Sequence, residues 1–135
     1  DLRRQRQMCI RDSIKRNIKI DINRIYLTGL SMGGRGTFIV ASKLPDLFAA
    51  IMPLSPHHRP YSYLPLAAKV DHIPTFIHHS TNDATSSFSL AQKMYDKLSE
   101  TNENIVFDIK NWNHSGWYRI YRDKEKIEWL LSWKK

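Results

Sequence analysis

Apolar residues in this chain fall in short blocks closed by polar or proline-containing connections, and the period of the pattern changes from block to block. "RIYLTGL", residues 24–30, is an almost continuous apolar run of strand length, which predicts a buried strand. The following "GGRGTFIVASKL" predicts a helix over 33–44, apolar on most sides, and the "LPD" at 44–46 ends it because a residue before proline avoids the helical region. Residues 49–55, "AAIMPLS", form a second short apolar run, and the proline-rich loop "PHHRPYSYLP" leads to a short helical stretch near 66–70. A third strand is predicted over 74–80, "PTFIHHS", and a fourth over 105–110, "IVFDIK". Between them lies the clearest helix, 86–101, with Leu90, Met94 and Leu98 four apart and Ala91 and Tyr95 flanking them on one apolar face. Residues 118–133 carry Ile120, Ile127, Leu130 and Leu131 toward one side and predict a single closing helix.

Strands alternating with helices at these spacings imply parallel strands joined by right-handed crossovers, hence an α/β fold with a mostly parallel open sheet and helices on both faces. In such sheets functional groups collect beyond the carboxyl ends of the strands. Composition changes the picture little: 41% hydrophobic and 25% charged residues describe an ordinary globular chain, and no apolar run approaches the roughly 20 residues needed to span a bilayer. Charge matters more. "RRQRQMCIRDS", Arg3 to Ser13, resembles the translation of a transposon adapter used in sequencing libraries, and residues 1–13 are set apart as non-native. Without their four Arg and two Asp the formal charge of +8 falls to +6, and the only cysteine, Cys9, goes with them. The remaining positive charge is scattered, not gathered into a stripe interleaved with aromatics, which argues against nucleic acid as a partner.

"GLSMG", Gly29 to Gly33, places one serine between glycines where a strand turns into a helix. This GxSxG pattern is that of the nucleophile elbow of α/β-hydrolases, in which a strained turn lifts the serine hydroxyl above the sheet. The expectation is that glycines flank Ser31 because a side chain there collides with the neighbouring strand or helix. A serine hydroxyl needs a base, and the base needs an acid to orient it. Asp83, in the loop after the third strand, and His114, in the loop after the fourth, follow in the order Ser, Asp, His. Asp108 competes for the acid's role, but "VFDIK" places it inside a strand.

Taken together, "IDINRIYLTGLSMGGRGTF", "PDLFAAIMPLS", "HSTND" and "NHSGW" resemble the carboxyl-terminal half of the predicted peptidase and esterase branch of the α/β-hydrolases. Relatives in that branch include dienelactone hydrolases, feruloyl and acetylxylan esterases and prolyl-oligopeptidase-like enzymes. The resemblance covers residues 18–133. It implies Ser31 as nucleophile, Asp83 as acid and His114 as base, with the backbone N–H of Met32 as one oxyanion donor. Two departures stand out: His79-Ser80 replaces the usual His-Gly before the acid loop, and "ATSSFS" replaces the usual Val-Pro after it. The resemblance further implies a cofactor-free serine hydrolase acting through an acyl-enzyme on small or polysaccharide-linked esters, with carbohydrate-linked acetyl or feruloyl esters leading. A prolyl-oligopeptidase-like peptidase and a noncatalytic carbohydrate-binding protein on the same scaffold are the alternatives. A secreted or periplasmic setting is favoured by the resemblance alone. It also places the first strands of the sheet and the second oxyanion donor upstream of residue 14. Residues 14–135 alone are then expected to be nearly inactive, because one oxyanion donor is worth about 10² to 10³ in rate, and their elbow strand is expected to have an open edge and a bare apolar face.

Several other residues invite functional readings. His57 and His58, past the second strand, read first as polar loop residues and second as substrate contacts. With His78 and His79 they suggest a metal site, but their spacing lacks the pattern of a zinc site, and no metal is expected. Trp117, three residues after His114, reads as packing or as the floor of an acyl or sugar pocket, and Trp112, Trp129 and Trp133 as core or helix-face residues. Arg35 reads as a helix-packing or surface residue. "NHS" at 113–115 matches a glycosylation acceptor, but a glycan there would block the site.

Overall fold

A computed structural model describes residues 19–135. The assignment of residues 1–13 lies outside them. Four strands, β1 (Tyr26–Leu30), β2 (Ala50–Leu54), β3 (Thr75–Ser80) and β4 (Ile105–Lys110), form one sheet in the order β1-β2-β3-β4. Every neighbouring pair is parallel. The helices are α1 (Met32–Lys43), α2 (Ala67–Val70), α3 (Phe88–Ser99), α4 (Trp117–Arg122) and α5 (Lys124–Leu131), with 3₁₀ turns at Leu64–Leu66 and His114–Gly116.

Two cores sit on opposite faces of the sheet. On one face Ile51 and Ile77 meet Phe38 and Ala41 of α1, Val70 of α2 and Met94 and Leu98 of α3. On the other, Met52, Leu54 and Phe76 meet Ile120 of α4 and Leu130 of α5. The period of two along a strand explains the split, because neighbouring residues of β2 and β3 serve opposite faces. All residues of β2 and β3 are buried, as central parallel strands covered on both sides require.

Three expectations need correction. The helix after the elbow is not buried on most sides: Gly34, Thr37, Phe38 and Ala41 form a single buried stripe, while Val40 is 38% exposed. The closing helix is two helices. Asp123 adopts an extended backbone (φ −86°, ψ 109°), and its carboxylate accepts from Glu125 N–H at 3.0 Å, so it ends α4 and caps α5. Finally, β1 is an edge strand among the described residues, but its apolar faces are not bare. Ile25 and Leu27 pack on the first core and Tyr26 and Leu30 on the second, and the Tyr26 hydroxyl donates to Trp133 O at 2.6 Å. The C-terminal segment thus covers β1 in part, no β1 residue being fully buried, and the expected open edge remains among the described residues.

Candidate active site

β1 ends at Leu30, and the next residue turns the chain sharply into α1. Ser31 has φ 54° and ψ −115°, a conformation that costs a non-glycine residue about 1 to 3 kcal/mol. Two bonds from the end of β2 brace it: Ser31 N–H donates to Leu54 O at 2.9 Å, and His57 N–H donates to Ser31 O at 3.0 Å. The glycines around it differ in purpose. A Cβ on Gly29 would lie 2.3 Å from Gly33 O, so the tightness of the turn forbids a side chain there. Gly33, by contrast, faces open space, and the close approach falls to Gly34, whose Cβ would lie 2.7 Å from Leu54 O. The steric reason expected for both flanking glycines therefore holds at Gly29, and the second crowded position is Gly34, where α1 crosses β2.

Asp83 follows β3 in an Asx turn. Its Oδ1 accepts from Thr85 N–H and Ser86 N–H, each at 2.8 Å. That leaves Oδ2 to accept from His114 Nδ1–H at 2.7 Å. Because a carboxylate only accepts, the proton of the His114 ring sits on Nδ1, and Nε2 is free to accept from the Ser31 hydroxyl at 2.9 Å. Residues from the ends of three strands thus meet in one hydrogen-bonded line. The Asp83 side chain is fully buried and that of His114 is 20% exposed. Burial by itself would raise the Asp83 carboxyl, but the Ser86 N–H, the His114 ring and the Thr85 N–H outweigh it and hold the group below the usual carboxylate range. Met32 opens α1, so its N–H has no partner within the helix and stands beside Ser31.

The other residues singled out from the sequence divide. His57 reaches the acid loop, its Nδ1 lying 3.0 Å from Ser86 Oγ, and burial with the neighbouring His58 and His114 lowers its pKa. His58 accepts from Ser87 N–H at 3.2 Å and so helps anchor the start of α3. Trp117 packs in the second core, edge-on to Tyr118 and Tyr121. Trp112, Trp129 and Trp133 join the same core. Arg35 lies over the Tyr61 ring and donates to Tyr61 O. Asp108 stays in β4 and pairs with His78 Nδ1 at 2.9 Å, away from His114. Among the described residues no group of three His, Cys, Asp or Glu could hold a metal ion. Sequence reasoning missed Ser86, whose N–H, carbonyl and hydroxyl all serve this loop. The signal was the Ser/Thr run after an aspartate, which favours an Asx turn.

The family described as PET hydrolase-like matches residues 5–135. The chain belongs to this family. It is 33% identical over 97 residues to a cutinase of Thermobifida alba, a match covering 71% of this chain and 30% of the relative. Against cutinase 1 of Thermobifida cellulosilytica it is 32% identical over 117 residues, covering 79% and 44%. A shorter match, 43% over 44 residues, is to poly(3-hydroxyalkanoate) depolymerase C of Paucimonas lemoignei, covering 33% of this chain and 11% of the relative. The chain therefore spans less than half the length of the curated relatives it matches. Its fold follows that of a thermostable esterase throughout (TM-score 0.86, 26% identity, 100% of this chain and 38% of the other). The acylaminoacyl peptidase of Pyrococcus horikoshii shares the fold at 20% identity (TM-score 0.69, 82% of this chain and 23% of the other). The sheet and its flanking helices are thus part of an α/β-hydrolase fold.

Proposed function

We propose that this chain carries the catalytic residues of a serine esterase that cleaves carboxylic esters through an acyl-enzyme. The observation that supports it most is the unbroken line from Asp83 through His114 to Ser31, with links of 2.7 and 2.9 Å. In this reading His114 Nε2 takes the Ser31 proton as Oγ attacks the ester carbonyl, and Asp83 supports the imidazolium that forms. The developing oxyanion turns toward the Met32 N–H at the start of α1, where the helix dipole adds to the attraction. His114 then gives its proton to the departing alcohol oxygen. Water enters, loses a proton to the same nitrogen and attacks the acyl carbon; as the acyl–Oγ bond breaks, His114 returns that proton to Ser31 Oγ and the acid is released. Within carboxylic esters, the names of the relatives, cutinase and poly(3-hydroxyalkanoate) depolymerase, favour an ester-linked polymer over the carbohydrate-linked acetyl or feruloyl ester of the sequence reading. Met32, 56% exposed beside Ser31, gives an apolar surface on which such a chain can lie.

The test is hydrolysis by the full-length protein of a p-nitrophenyl ester, a poly(3-hydroxybutyrate) film and acetylated xylan, each against Ser31→Ala. The proposal expects Ser31-dependent release from the first two in preference to the third. Hydrolysis that survives Ser31→Ala would refute the mechanism, and preference for xylan would refute the polymer.

A further inference from the structure

Polar contacts around the acid loop continue past Asp83 to a residue the ester reaction does not use. His79 lies on β3 and is fully buried, its ring edge-on to Phe88 at 5.9 Å. Nε2 lies 3.1 Å from Ser86 O and 3.3 Å from Asp83 Oδ2. Both are acceptors, so the ring proton sits on Nε2, and Nδ1 keeps a buried lone pair with no partner. Burial foremost lowers the pKa of this imidazole, against the Ser86 carbonyl and the Asp83 carboxylate, which raise it. Its neighbour His78 serves the other face of the sheet, against Asp108 and Trp112, so the two histidines share no ligand.

Ser86 is the connecting piece. Its carbonyl accepts from His79, its N–H holds Asp83 Oδ1 at 2.8 Å, and its hydroxyl meets His57 at 3.0 Å. We infer that His79 is a positioning residue: its Nε2–H fixes the Ser86 carbonyl and, through the backbone of that residue and its own approach to Oδ2, the Asp83 carboxylate that orients His114. The inference rests on the esterase reading of Ser31, Asp83 and His114. A buried ring with one unpaired nitrogen is a poor choice for packing alone, since a leucine would fill the space without an orphaned acceptor. The donor has a use only if the loop must be held in one orientation.

Two variants separate positioning from packing. His79→Leu keeps bulk and removes the donor, whereas His79→Gln keeps an amide N–H near the Nε2 position. Each is compared with the full-length wild-type protein by the rate of fluorophosphonate labelling at saturating probe, the probe's half-saturation concentration, thermal unfolding and the NMR signal of the His114 Nδ1 proton. Displacing the acid by about 1 Å predicts a labelling rate about 10²-fold lower in His79→Leu with little change in half-saturation. The His114 signal weakens in the same variant. His79→Gln restores both. Equal labelling by wild type and His79→Leu would overturn the inference, as would a His79 proton found on Nδ1 in the wild type, a reading that does not require either variant to fold. If the full-length wild type takes no label, the esterase reading fails instead, and the His114 signal alone then decides whether His79 holds Asp83.

Discussion

Replacing Asp83 by Asn changes one atom and tests the geometry sharply. Two backbone N–H groups, from Thr85 and Ser86, aim at Oδ1 at 2.8 Å, so the amide must place its oxygen there. Its NH₂ then occupies the position of Oδ2, facing His114 Nδ1 at 2.7 Å and His79 Nε2 at 3.3 Å. A donor now opposes a donor. His114 relieves the clash by moving its proton to Nε2, the nitrogen that must accept from Ser31, and the base is lost by choice of tautomer with almost no change in shape. The expected cost is about 10⁴-fold in turnover. A stopped assay with a p-nitrophenyl ester and the rate of fluorophosphonate labelling both read it, while circular dichroism checks that the fold survives. Asp83→Asn retaining more than about a tenth of the wild-type rate would refute the reasoning, because a tenfold loss corresponds to only about 1.4 kcal/mol.

Further predictions concern the scaffold. Gly34→Ala drives a Cβ to 2.7 Å from Leu54 O, and overpacking against backbone is expected to cost about 1 to 3 kcal/mol in a thermal or urea melt. Gly33→Ala, facing open space, is expected to fall within about 0.5 kcal/mol of wild type. Asp123→Ala removes the cap of α5 and is expected to cost about 1 kcal/mol in the same melts. The Asp83 and Asp108 carboxyls are both held below their usual range, so the stability they contribute is fully present above about pH 4 and is lost as the pH falls through their folded values. Urea midpoints at pH 6 and pH 3 should therefore differ by less in Asp108→Asn than in wild type.

What the sequence made legible follows from what kind of constraint each feature expresses. Parallel strands with apolar cover on both faces read as near-continuous apolar runs, so β1 to β4 could be placed within a residue or two of their ends. The glycine-flanked serine announced its turn, and the chain order of Asp83 and His114 gave two residues that the fold brings to Ser31. Less visible were features decided across space. The split at Asp123 rests on a cap whose single aspartate competes with a helical pattern running through it. Which glycine is crowded depends on where α1 crosses β2, which spacing does not reveal. His79 looked like one of four histidines suggesting a metal, because its partner Ser86 becomes apparent only when the acid loop folds back on β3. The likeness to esterases was readable from motifs, whereas the PET hydrolase-like family within that fold needed comparison along the whole chain.

Mass spectrometry of the fluorophosphonate-treated full-length protein tests the main assertion most directly. If Ser31 is made nucleophilic by His114, the phosphonyl group sits on Ser31 alone and the adduct disappears in His114→Ala. An adduct on other hydroxyls, or one on Ser31 that forms as fast without the imidazole, would contradict it.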